Sequence, residues 1–126
     1  MAPQAMTRSF SPGGVPGADV AAYYRRRAEN QVGLIITEGT VIDHPAAASD
    51  PRVPRFHGDD ALAGWATVAK EVHAAGGLIM PQLWHTGLMR KPGAGPNPHL
   101  TGVGPSGLAK PGKKVTEPMT TADIDE

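Results

Sequence analysis

Three clusters in this chain combine residue types that could do chemistry. Gln82, Trp84 and His85 stand at the end of a short apolar run, Leu78-Ile-Met-Pro-Gln-Leu83, which opens after Gly76-Gly77. Thr37-Glu38-Gly39 close a second apolar run that starts at Gly33, and Thr7 lies near the start of the chain. An amide such as that of Gln82 offers donor and acceptor side by side, which suits the edge of a pyrimidine-like ring. An indole can serve as a flat platform for a ligand, and a glycine lets a planar ligand approach the backbone. Each residue also has a plain structural use. Gln82 can bond a neighbouring loop, Trp84 can pack, His85 can be a structural imidazole, Thr7 can cap a turn, and Gly39 can end a strand.

The elements that must position these residues follow from periodicity and turn chemistry. Met1–Met6 reads as a short strand, and Ser11-Pro-Gly-Gly-Val-Pro-Gly17 as turns. Asp19–Asn30 reads as a helix, with Val20, Tyr24 and Ala28 on one side and Arg25, Arg26 and Arg27 at its C-terminal end. Gly33-Leu-Ile-Ile-Thr-Glu-Gly39 is a strand whose unbroken apolar run suits burial on both faces. Residues 43–58 carry Pro45, Pro51 and Pro54 and read as a loop. Asp59 or Asp60 then caps a helix to Ala75, with Leu62, Trp65, Val68, Ala69 and Val72 as its apolar stripe and Gly76-Gly77 as its stop.

A third strand spans Leu78–Leu83, although Pro81 inside it cannot donate to a ladder. Residues 84–119 are rich in Gly and Pro without helical or strand period, and read as one long loop. Thr120-Thr-Ala-Asp123 fits a capping box that opens a further helix. Strands that alternate with helices imply βαβ units and a parallel sheet, so the fold class is α/β. In such sheets sites gather at the C-terminal strand ends, where Thr7, Gly39 and Gln82 all fall.

Totals exclude several classes. Twelve basic residues against twelve acidic ones give no bias towards nucleic acid or an anionic membrane. No cysteine is present, which removes disulfides, thiolate metal sites and thiol nucleophiles. His44, His57, His73, His85 and His99 show no ligand spacing, so no metal site is expected. No apolar run approaches the roughly 18 residues that a bilayer span needs, and no signal-peptide core is visible. The expectation is a soluble, cytoplasmic protein of one partial domain over residues 1–126.

At this point the motifs resemble the old yellow enzyme family of FMN-dependent NAD(P)H oxidoreductases, or ene-reductases, built on a TIM barrel. The resemblance rests on Ala2-Pro3 with Met6-Thr7-Arg8-Ser9, Tyr23-Tyr24-Arg25-x-Arg27-Ala28, Gly33-Leu-Ile-Ile-Thr-Glu-Gly39, and Gln82-Leu-Trp84-His85-x-Gly87 in that order. Ala63-Gly-Trp65, Val72-His73-Ala74-x-Gly76-Gly77 and Val103-Gly-Pro-Ser-Gly107 add to it. It implies about three βα units, the N-terminal portion of a (β/α)8 barrel. It further implies that the Thr7 hydroxyl meets a flavin carbonyl and that Pro3 and Met6 line the ring through their backbone. Gly39 would let the ring lie on the strand end, Gln82 would bond its pyrimidine part, and Trp84 would wall the substrate pocket. In the family, flavin reduced by NAD(P)H gives hydride to an activated alkene, and a separate acid completes the reduction.

Two departures stand out. Three residues separate Pro3 from Thr7 where the family has one, which keeps strand parity but displaces Pro3 by about 6.6 Å. Either Ala5 takes the proline's place or the strand bulges. The chain also carries three of eight barrel strands, without the family's substrate-binding pair, its Tyr proton donor or its phosphate site, so no catalytic residue is assigned. The chain alone is expected to hold part of a flavin site. A remnant that persists by self-association, or by pairing with a complementary barrel fragment, is the competing expectation.

Overall fold

The computed structural model describes residues 6–125. The strand expected over Met1–Met6, and Pro3 with it, lie outside the described residues except for Met6, which is not in a strand. Two compact units are present. Among the described residues, one comprises 6–43 and 51–84, the other 44–50 and 85–125.

In the first unit, α1 (Ala18–Glu29) leads to β1 (Leu34–Val41), and α2 (Asp59–Ala74) leads to β2 (Leu78–Trp84). The two strands pair in parallel, as βαβ logic requires. α1 buries Val20, Ala21, Tyr24 and Ala28, and these join Ile35, Trp65, Val68 and Val72 in one core. α1 carries Asp19 in its first turn and Arg26 and Arg27 in its last, each charge matching the nearer pole of the helix dipole.

Two details of α2 correct the reading from sequence. Gly58, with φ of 80°, holds the N-cap position, and Asp60 instead accepts the Ala61 N–H at 2.8 Å from within the first turn. The buried stripe is Ala61, Trp65, Val68 and Val72, while Leu62 is 43% exposed. Leu62 leans towards an apolar groove of about 280 Å³ lined with Phe56, Trp65, Ile79 and Met80. The helix stops as expected. Gly76 takes φ of 80°, its N–H reaches the His73 carbonyl at 2.9 Å, and the Gly77 N–H reaches Val72 at 3.1 Å. That pair of bonds is a Schellman closure, which glycine at the left-handed position permits.

The β1–β2 ladder contains one irregularity. Ile36 faces Met80 and Gly39 faces Gln82, so three steps along β1 match two along β2. The extra residue is a β-bulge at Thr37-Glu38. Pro81, which has no N–H to offer, falls in the same interrupted rung. A proline that looked awkward in a strand therefore sits where the ladder asks nothing of it.

The second unit has a different character. A 3-10 turn covers Gly87–Met89, and β3 (Leu108–Lys110) pairs antiparallel with β4 (Lys113–Lys114). The hairpin turns through Pro111 and Gly112, whose φ of 74° suits only glycine comfortably. α3 (Thr121–Asp125) opens on the expected capping box. Thr120 donates N–H to Asp123 Oδ2 at 2.7 Å, and Asp123 returns its N–H to Thr120 Oγ1 at 3.3 Å. At the centre of the unit lies Arg90, 4% exposed. Its guanidinium donates to the carbonyls of Ala48, Ala94, Asn97 and Leu100, so one side chain pins segment 44–50 and the irregular stretch 94–100 together.

Candidate functional site at the ends of the parallel strands

The bulge is repaired by side chains. The Gln82 N–H donates to Thr37 Oγ1 at 3.0 Å, and Thr40 Oγ1 lies 3.0 Å from the Gln82 carbonyl. The two hydroxyls are 3.1 Å apart and both are buried. Thr37 and Thr40 thus supply the ladder bonds that the backbone of β1 cannot reach, and they fix the main chain of residue 82. The Gln82 side chain itself is exposed, and its amide has no partner among the described residues.

Gly39 faces Gln82 in register and is fully enclosed. A Cβ built there would lie 2.9 Å from the Trp84 ring atoms Cδ2 and Cε3. Glycine at 39 therefore makes room for the indole. Gly39, Gln82 and Trp84 come together at the C-terminal ends of β1 and β2, the location that parallel sheets favour for sites.

Beside them is a buried carboxylate. Glu38 is 1% exposed, and both its oxygens are engaged. Arg8 donates its backbone N–H to Oε2 at 2.9 Å, and its Nη2 and Nε to Oε1 at 2.7 and 3.2 Å. The Tyr24 hydroxyl accepts the Glu38 backbone N–H at 2.9 Å and stands 3.4 Å from Oε1. Burial first, and the neighbouring carboxylate after it, push the Tyr24 phenol up to about 12. Tyr23 completes the cluster, with the guanidinium carbons of Arg8 and Arg27 at 3.6 and 3.2 Å from its ring centroid.

This cluster is what sequence reasoning missed. Thr7 and Met6 are both exposed and reach into no core of their own. What places Thr7 is its peptide neighbour Arg8, clamped to the residue that precedes Gly39. The available signal was a glutamate inside an apolar strand, since a buried carboxylate demands a cation and further donors. His85 lies outside the unit that holds Gln82 and Trp84. It belongs to the second unit and pairs with His44.

The donor set suits the edge of a flat heterocycle. The Gln82 amide and the Thr7 hydroxyl are both exposed, and the Trp84 indole sits over Gly39 at the same strand end as the amide. No group of three or more potential metal ligands exists among the described residues, and none of their helices is long and apolar enough to cross a membrane.

Comparison with known proteins gives the class. The family model for the NADH:flavin oxidoreductase / NADH oxidase family matches residues 1–126. A 12-oxophytodienoate reductase 7 of Oryza sativa subsp. japonica is 45% identical over 82 residues, 65% of this chain and 20% of the relative. Morphinone reductase, solved in complex with tetrahydroNAD, superposes with TM-score 0.83 at 32% identity, covering 97% of this chain and 37% of that one. Old Yellow Enzyme from Pichia sp. AKU4542 gives TM-score 0.82 at 29% identity, over 98% and 34%. The chain belongs to the NADH:flavin oxidoreductase family, in its old yellow enzyme branch. The 126 residues span between a fifth and two fifths of these relatives. Their fold is the TIM barrel, of which the βα elements here form a part.

Proposed function

We propose that this chain supplies the first part of the flavin site of an FMN-dependent NAD(P)H oxidoreductase that reduces activated alkenes. The observation that carries this reading is the free Gln82 amide, held at the strand end opposite Gly39 by the Thr37 and Thr40 hydroxyls. In this proposal Gln82 bonds the pyrimidine edge of FMN, and the Thr7 hydroxyl meets a ring carbonyl. Pro3 and Met6 line the ring by their backbone. Trp84, seated on Gly39, forms part of the wall against which an alkene is held. Bound FMN would take hydride from NAD(P)H and deliver it to the alkene; residues 1–126 bind and orient. No proton donor is assigned within them. The lack of cysteine fits a reducing, cytoplasmic setting.

The test is a titration of the purified chain with FMN, read by flavin fluorescence and visible spectrum, beside Gln82→Ala. Saturable one-to-one binding that weakens about tenfold in the variant supports the reading, as expected for a lost hydrogen-bond pair. No binding at about 100 μM limits the affinity to near −5.5 kcal/mol and overturns it for the isolated chain. Oxidation of NAD(P)H by the purified chain, stimulated by FMN, would mean that these residues suffice for catalysis, against expectation.

A second reading has its own observation. β2 exposes Leu78 at 62%, Met80 at 48% and Leu83 at 59%, and pairs on one side only among the described residues. An apolar strand with an open edge invites another strand. Under this reading the chain is a non-catalytic barrel remnant that persists by self-association or with a complementary fragment. A monodisperse monomer with one sharp melting transition would count against it.

A further inference from the structure

In the second unit, segment 44–50 is tied to the chain after β2 by a short series of bonds. The Thr86 N–H reaches the Ala47 carbonyl at 2.9 Å, the Lys91 N–H reaches Ser49 Oγ at 3.0 Å, and Asn97 Nδ2 reaches the Pro45 carbonyl at 2.8 Å. At the head of this series stand two imidazoles. His85 Nε2 and His44 Nδ1 are 3.2 Å apart, and the rings meet edge to face with centroids 4.9 Å apart.

Their protons can be placed by elimination, because a backbone N–H only donates. The Gly87 N–H points at His85 Nδ1 at 2.8 Å, so that nitrogen is a bare acceptor and the His85 proton sits on Nε2. The Nε2–H then donates to His44 Nδ1, which also accepts the Ala46 N–H at 3.1 Å. The His44 proton therefore sits on Nε2. Both rings are neutral, and every pyridine-type nitrogen of the pair is already used. A proton added to His85 must land on Nδ1, facing the Gly87 N–H. One added to His44 must land on Nδ1, facing two N–H groups. A proton on His85 breaks the Gly87 bond that fixes the ring in the turn, and one on His44 breaks the contact between the two rings, through which His85 holds segment 44–50.

We infer that the His44–His85 pair is a proton-sensitive clasp: neutral, it holds segment 44–50 on the turn that follows β2, and protonated, it releases it. The charged groups around it act in both directions. Arg90, permanently cationic and buried, opposes a charge on the pair. Asp123 lines the same cavity of about 430 Å³ and favours one, although its Oδ2 already accepts the Thr120 N–H and hydroxyl. The other residues around the cavity, including Leu88, Val103 and Met119, carry no charge. Burial first, then His44 and Arg90, hold His85 below the ordinary histidine value of 6.5. For a depressed histidine the stabilisation is present above that value and is lost as pH falls through the window beneath it. Acid opens the clasp.

The experiment uses the full chain. Side-chain ¹⁵N shifts of His44 and His85 report tautomer and titration, and amide exchange of Thr86 and Gly87 reports opening. At pH 7.5 His85 should show a bare Nδ1 and be neutral. Between pH 7.5 and 5.0 the protection factors of Thr86 and Gly87 should fall by about fivefold or more, while the Tyr24 amide in the first unit stays unchanged. His85→Asn, whose Oδ1 can still accept the Gly87 N–H without titrating, should flatten most of that fall. Protection factors that stay level down to pH 5.0, or a His85 that titrates at or above the ordinary value, overturn the inference. The titration of the unmodified chain decides the matter even if the variant does not fold.

Discussion

Gly39 and Trp84 share one space: the indole lies where any side chain at 39 would begin, 2.9 Å from an ideal Cβ position. Gly39→Ala should therefore push the ring aside at a cost of about 1–3 kcal/mol, the range for overpacking a filled site. Urea denaturation measures the cost, and a shift in tryptophan emission reports the movement. If Trp84 also walls a ligand pocket, FMN affinity should change in the same variant. A Gly39→Ala chain with unaltered stability and emission would show that the contact is slack.

Arg8 neutralises Glu38, so its removal should be costly. Arg8→Met leaves a carboxylate that is 1% exposed without its cation and without two of its donors. A loss of about 3–5 kcal/mol is expected, as for other buried pairs broken on one side. The double variant Arg8→Met/Glu38→Gln should recover much of it, and a thermodynamic cycle by denaturant melts checks this.

Tyr24 sets an alkaline limit. Its hydroxyl is held up to about 12, against 10.0 in an open chain. Between these values the unfolded state has released a proton that the folded state retains, so stability falls as pH rises. The slope should approach 1.4 kcal/mol per pH unit, roughly, for one fully linked group. Tyr24→Phe should abolish this limb and cost about 1–3 kcal/mol at neutral pH, because the Glu38 N–H loses its acceptor. Stability measured at pH 8 to 12 in both chains tests the sign.

The hydroxyls at the bulge should be worth more together than apart. Thr40→Val keeps shape but strips a bond from the Gln82 carbonyl, and Thr37→Val strips one from its N–H. Each should cost about 1–3 kcal/mol, with a coupling above 0.5 kcal/mol, roughly, since the hydroxyls also meet each other. Loss of flavin affinity in both variants, alongside Gln82→Ala, would tie the repair to the proposed site.

Arg90→Lys should loosen the second unit selectively. A lysine keeps the charge but cannot fork to carbonyls of Ala48, Ala94, Asn97 and Leu100 together. Exchange protection at residues 86–100 should fall by about tenfold or more, with helix α1 unaffected. Equal loss in both regions would mean that the arginine supports more than its own unit.

Much of the first unit was legible because its signals are local. The apolar faces of α1 and α2, the glycine stop at 76–77 and the capping box at 120–123 depend on residues within a turn or two of each other. Gly39, Gln82 and Trp84 were expected at strand ends, and the register of β1 with β2 brings them together there. Other features were not legible because they arise only when distant residues meet. Leu62 lies in the apolar stripe by spacing, yet packing chose Ala61 instead. The β3–β4 hairpin has too few residues to show a period, so its stretch read as loop. Arg8, Tyr24 and Glu38 are separated by up to 30 residues, and nothing in the spacing announces their junction. The histidine pair joins positions 41 apart and looked like two unrelated imidazoles.

The extra residue in β1 also changes what the strand can tolerate over evolutionary time. In an evenly pleated half-buried strand, alternate positions face solvent and can drift. Here Thr37, Glu38, Gly39, Thr40 and Val41 are enclosed one after another, and each has a separate obligation. Two hydroxyls serve the ladder, a carboxylate serves Arg8, a bare backbone serves an indole, and a valine anchors the strand's far end. A mutational scan across them should read as one unbroken block of intolerance rather than as an every-other-residue rhythm. Drift would have to enter this molecule elsewhere, along the exposed side chains of β2 and the surface loops.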